Sequence, residues 1–134
     1  MRIFRDTDAP SRPADANSFS GPAATKLLAS AEEGADVHVY RVAFEPGGRT
    51  NWHTHSGPQW LFVTEGTIRF QCWGQPAAQI AAGDAVLFSP GEKHWHGAPP
   101  DDRGVHLAVN IAVKTEWLEP VSDETYRAAM APEG

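Results

Sequence analysis

Between residues 37 and 113 the chain is a succession of short β-branched and aromatic segments, each stopped by a turn signal. Val37–Phe44 stops at Glu45-Pro46-Gly47-Gly48, and Trp60–Thr64 stops at Glu65-Gly66. Thr67–Trp73 stops at Gly74-Gln75-Pro76, Gln79–Ala81 at Ala82-Gly83-Asp84, and Ala85–Phe88 at Ser89-Pro90-Gly91. Val105–Val113 is the longest such segment. Strands this short and this regularly interrupted cannot bury themselves singly, so the spacing predicts an all-β sandwich or barrel. Ala24–Ala29 adds a candidate edge strand. No stretch before residue 120 keeps a helical period; Ser122-Asp123-Glu124 predicts a capped helix running to about Met130.

The 134 residues fit one domain and leave no room for a second full core. Residues 1–18, with Pro10, Pro13 and several Asp and Ser, read as a flexible N-terminal arm; 19–134 read as the domain, with 37–113 its barrel core. A formal net charge of −6 with scattered Lys and Arg argues against nucleic acid and against an anionic membrane surface, since both need concentrated positive charge. The first 19 residues hold no apolar run long enough for a secretion signal or a membrane helix, which makes the cytoplasm the expected location. The lone Cys72 sits in an alternating stretch and reads as a packed thiol.

Four of the six histidines fall in two pairs, each with one residue between: His53 and His55, then His94 and His96. Residues i and i+2 of a strand project from one face, so His53 and His55 can share a metal ion. Gln59 follows the bend Ser56-Gly57-Pro58, and His94 opens a later strand after Pro90-Gly91. In a barrel, strands far apart in sequence can aim side chains at one interior point.

This arrangement resembles the cupin superfamily. Gly47, His53, His55, Gln59 and Gly66 stand in register with the first cupin motif, and Gly83, Gly91 and His94 with the second. Three positions depart from the pattern: Gln59 replaces an acidic ligand, Ser89 replaces a proline with Pro90 one place later, and Ala98 replaces an asparagine. The resemblance implies a single double-stranded β-helix (jelly-roll) barrel with a short C-terminal helix. It also implies one divalent transition metal on His53, His55, Gln59 and His94, with Mn expected first and Fe, Ni or Zn as alternatives. With Gln59 in place of a carboxylate, all four donors are neutral. The ion would keep its full charge and act as a strong Lewis acid toward a substrate oxygen.

Period 2 puts His96 on the same face as His94 and turns Trp95 the other way. On the last long strand either His106, Ala108 and Asn110 face inward, or Val105, Leu107 and Val109 do. The expectation taken is His106 inward, as a neutral general base. The segments Thr50–His55, Ser89–Ala98 and Glu116–Tyr126 look like small bacterial cupins, a group that includes manganese-dependent hydroxynitrile lyases. That likeness implies Val42, Thr50, His96, His106 and Asn110 around the substrate. The leading expectation is a metal-dependent lyase acting on a small hydroxy or oxo compound, with His106 and His96 catalytic. A cupin dioxygenase and a non-catalytic binder of metal or small molecules are the alternatives. Small cupins commonly pair as homodimers or higher homo-oligomers, and Trp52, Trp60 and Trp73 offer apolar surface for pairing or bulk for the core.

Overall fold

The computed structural model describes residues 1–32 and 36–128. Its strands are β1 (Arg12–Pro13), β2 (Phe19–Ser20), β3 (Ala23–Ala31), β4 (Val37–Phe44), β5 (Arg49–Thr50), β6 (His53–His55), β7 (Gln59–Cys72), β8 (Ala78–Ala81), β9 (Ala85–Phe88), β10 (His94–Gly97), β11 (Gly104–Ile111) and β12 (Thr115–Trp117). One helical turn follows, α1 (Asp123–Tyr126). All the pairings are antiparallel, and the sheet curls into a barrel in the order β1-β3-β4-β11-β7-β10-β5-β2. The all-β barrel expected from the segment pattern is the fold observed.

The strand boundaries differ from the sequence expectation in one instructive place. Trp60–Thr64 and Thr67–Trp73 are not two strands but one, β7, fourteen residues long. Glu65-Gly66 bends this strand instead of ending it. Gly66 takes φ +63°, and a Cβ placed there would meet the Arg103 carbonyl oxygen at 1.9 Å. Only glycine allows the backbones to approach so closely at a left-handed φ. Opposite the bend, the β7–β11 register slips between Val105 and His106. β7 thus pairs with β11 and β9 through its first half and with β8 and β10 through its second. It joins the two walls of the barrel.

Alternation along the strands sets the core. On β7, Gln59, Leu61 and Val63 are buried, while Trp60 and Phe62 are exposed. Val42, Phe44, Val63, Ile68 and Ala98 pack together at one end, and Leu61, Phe88 and Ala108 nearer the other. Trp95 does face away from His94 and His96, yet it is fully buried, because Trp52, Val121 and Tyr126 pack over it. The Tyr126 hydroxyl donates to the Ala98 carbonyl and ties this cover to the barrel. Trp52 is therefore core, whereas Trp60 and Trp73 lie on the surface. Ser122 caps α1, its hydroxyl oxygen accepting from the Thr125 N–H at 3.1 Å. The helix stops at Tyr126; Met130, the expected end, lies outside the described residues. Within residues 1–18, Arg12 and Pro13 pair with Thr25 and Ala24 of β3. No helix among the described residues is long and apolar enough to cross a membrane.

Candidate metal centre

Three short elements bring the histidines together. His53 and His55 occupy the two ends of β6 and are both buried. β6 lies antiparallel to β10 with His53 opposite His94, and the two rings are 4.3 Å apart, centre to centre. His55 lies 4.9 Å from His53 and 5.4 Å from His94 on the same measure. Gln59 opens β7, and its Oε1 is 3.3 Å from His94 Nε2. The Phe88 ring stacks on His94 at 3.8 Å and 12°, which fixes that imidazole from below.

Hydrogen bonds outside the cluster set the tautomers. His53 Nδ1 lies 2.8 Å from the Asn51 carbonyl oxygen, and His94 Nδ1 lies 2.8 Å from that of Glu92. A carbonyl can only accept, so each Nδ1 carries the proton and each Nε2 presents a lone pair. His55 Nδ1 lies 2.9 Å from the Thr115 hydroxyl, and its buried Nε2 has no hydrogen-bond partner among the described residues. Gln59 is oriented in the same manner: its Nε2 donates to Asn110 Oδ1 at 2.9 Å, which turns Oε1 toward the histidines. Burial pushes His53 well below its ordinary value, lowers His55, and brings His94 down to about 4. The rings are neutral at physiological pH. Neutral imidazoles, two of them (His53 and His94) with Nε2 lone pairs set by carbonyl acceptors at Nδ1 and the third (His55) bonded to a hydroxyl, suit a divalent transition metal.

His96 and His106 form a second group. His106 Nε2 and His96 Nδ1 are 3.0 Å apart, and both rings are buried. His96 Nε2 and His106 Nδ1 have no hydrogen-bond partner among the described residues. Burial holds His96 well below its ordinary value and His106 at about 3. By interatomic distance, the ligand nitrogens of His53, His94 and His96 all lie within 4.8 Å of one another, a trio that could hold a metal ion. This trio shares two members with the ligand set expected from sequence and has His96 where that set has His55. The hydrogen bonds separate the two: the Nδ1 of His55 faces a hydroxyl, whereas the Nδ1 of His96 faces another imidazole.

His53, His55, Gln59, His96 and His106 line one cavity of about 510 Å³, together with Thr50, Val42, Tyr40, Ala108, Asn110, Phe19 and Trp117; His94 lies behind this lining. His106, Ala108 and Asn110 are thus the inward face of β11, as expected. Val42 and Thr50 also line the cavity. Thr50 is committed to the framework as well, accepting from the His96 N–H at 3.2 Å. Asn110, expected to meet substrate, is spent largely on Gln59. Sequence reasoning missed Thr115, whose distance of sixty residues from His55 carries no signal. It also missed the cavity positions of Phe19, Tyr40 and Trp117.

Comparison with known proteins agrees with this fold. The Cupin domain family model matches residues 40–110, from the middle of β4 to the end of β11. The chain is a cupin. This cupin is 42% identical over 130 residues to a Granulicella tundricola protein named (R)-mandelonitrile lyase, covering 95% of this chain and 99% of that one. It superposes on a cupin-like protein of Thermotoga maritima with a TM-score of 0.84 and 40% identity, over 90% of this chain and 94% of that one. A polyketide cyclase of Streptomyces resistomycificus shares the fold at 20% identity, with a TM-score of 0.72 and coverage of 94% and 90%.

Proposed function

We propose that this cupin is a metal-dependent lyase that interconverts a cyanohydrin with an aldehyde and cyanide, its metal held by His53, His55, Gln59 and His94. The observation that carries the reading is the proximity of two histidine groups with different hydrogen bonding. One is fixed in the ligand tautomer and the other is free to pass a proton. The similarity to the mandelonitrile lyase supports the choice of substrate class. A divalent metal on four neutral donors would supply Lewis acidity toward the substrate oxygen.

The chain's own groups account for the proton. In the cleavage direction the hydroxyl proton of the cyanohydrin passes to a free nitrogen of the His96–His106 pair. The oxygen electrons form the carbonyl, and the carbon–carbon bond breaks with its electron pair leaving on cyanide. Cyanide then takes the proton back and departs as hydrogen cyanide. Burial lowers the His106 pKa and leaves the ring unprotonated at neutral pH, so that a lone pair is available to take a proton. Val42 and Ala108 give the cavity apolar walls, and Thr50 holds the backbone of His96 in place.

The test is direct. Protein purified without chelator is analysed for bound metal and assayed for release of benzaldehyde from mandelonitrile. Chelated protein is then assayed before and after the same metal is restored. Turnover that disappears with the metal and returns with it is the expected result. Metal-loaded protein that neither cleaves nor forms cyanohydrins overturns the reading.

A further inference from the structure

We propose that Trp117, backed by Phe19, is the wall that makes the cavity select substrates bearing an aryl group. The substrates named rest on the lyase reading, but the binding of an aryl ring does not. Trp117 is 42% exposed, a large aromatic left half open beside a cavity. It stands on β12 directly opposite His53 of β6, with the two ring centres 4.7 Å apart. Phe19 lies 5.9 Å from Trp117 at an interplanar angle of 46°, and Phe44 lies 6.1 Å from Phe19. An aromatic line therefore runs from the barrel interior to the cavity and ends beside a candidate metal ligand.

The strand that carries this ring is anchored on both sides. Thr115, Glu116 and Trp117 pair with His55, Thr54 and His53 of β6, and the Leu118 N–H donates to the Trp52 carbonyl at 2.8 Å. Contacts with His53 and Phe19 limit the rotamers open to the ring, which lowers the entropic cost of presenting it to a ligand. The free ring face beside Phe19 suits an offset or edge-on aryl group, the geometry that aromatic pairs favour. A volume of about 510 Å³ lies within the general range of small-molecule pockets and leaves room for a ring. The competing role is structural: Trp117 shields His53 from water and touches no substrate.

The two roles separate in one set of measurements. For metal-loaded wild type, Trp117→Leu and Trp117→Phe, kcat/KM is measured on mandelonitrile and on acetone cyanohydrin, with the metal content of each protein. Selection by the ring predicts that the aryl-to-alkyl ratio falls about tenfold in W117L and is largely restored in W117F. A shield predicts equal losses on both substrates, in step with lost metal, and that result overturns the proposal. In a second arm, saturation-transfer NMR follows benzyl alcohol and 2-propanol with metal-free protein. Benzyl alcohol bound by wild type and lost in W117L supports the proposal even if no cyanohydrin is ever turned over. Benzyl alcohol bound equally by both proteins, or by neither, overturns it and leaves the lyase reading to stand on turnover alone.

Discussion

Two groups of histidines share one barrel a few ångströms apart, and what distinguishes them is what lies behind each ring. His53 and His94 are backed by main-chain carbonyls two residues earlier in the chain. A carbonyl never gives a proton, so these rings have one tautomer and one outward lone pair. His96 and His106 are backed by each other, and either ring can donate. All four are buried, and burial lowers the pKa of each. Burial lowers all four alike, so the identity of the Nδ1 partner is what separates the proposed ligands from the proposed proton carriers. The difference teaches that a histidine's partner at Nδ1 carries more functional information than its depth.

The largest effect should come from breaking the fixed group. His94→Ala removes a donor and should lower metal affinity by more than the hundredfold typical of changes outside the ligand shell, with turnover lost in parallel. Titration of chelated protein with Mn or Zn, followed by calorimetry, checks this. The next largest should come from the second group. His96→Gln and His106→Gln should each lower kcat by roughly 10²- to 10⁴-fold while metal affinity stays near that of wild type. His96 is the decisive member, because its ring nitrogen lies within 4.8 Å of the ligand atoms of His53 and His94. If H96Q loses metal as H94A does, the division between the groups is wrong and His96 belongs to the metal site.

A smaller effect isolates the histidine among the ligand candidates that is backed by a hydroxyl. His55 depends on the Thr115 hydroxyl, where its neighbours depend on the backbone. Thr115→Val keeps the shape and β-branching of the residue and deletes the hydrogen bond. Metal affinity should fall about 10- to 100-fold, the range seen when such outer partners are removed. Unchanged affinity in T115V would mean that β12 does not position His55.

The fold was legible in the chain because turn chemistry and strand alternation are local. The Pro46-Gly47 and Pro90-Gly91 turns and the segment Val37–Phe44 appear where the residues put them. Glu65-Gly66 misled for a physical reason: a glycine that ends a strand and a glycine that bends one are the same residue, and only the approach of Arg103 tells them apart. Within the site, His53, His55, Gln59 and His94 were legible because period 2 and motif spacing fix their faces. The partners behind them were not. Two are main-chain carbonyls, which every residue has, and the third, Thr115, comes from a strand whose pairing with β6 no local pattern announces. Asn110 was placed correctly on the inward face, but its bond to Gln59 depends on the β7–β11 register, which a sequence does not display.

The last effect concerns protons and applies to metal-free protein, where no ion competes for the rings. Take His106, whose value falls from 6.5 in the unfolded chain to about 3 in the fold because of burial. Above about 6.5 neither state binds the proton, and the group has no influence on stability. Between about 6.5 and 3 the unfolded chain binds it and the folded one does not. Stability should therefore fall as pH drops through this window, by about 1.4 kcal/mol per pH unit for this residue, a tenfold change in the folding constant. His94, held at about 4 by its own burial, adds a like slope over a shorter range. Urea unfolding at a series of pH values measures the total. His106→Gln should flatten the slope by close to one proton and leave stability at pH 8 dependent only on packing. If the slope of H106Q matches that of wild type, the folded protein is already protonated at the pair, and the contrast drawn between its two histidine groups would rest on geometry alone.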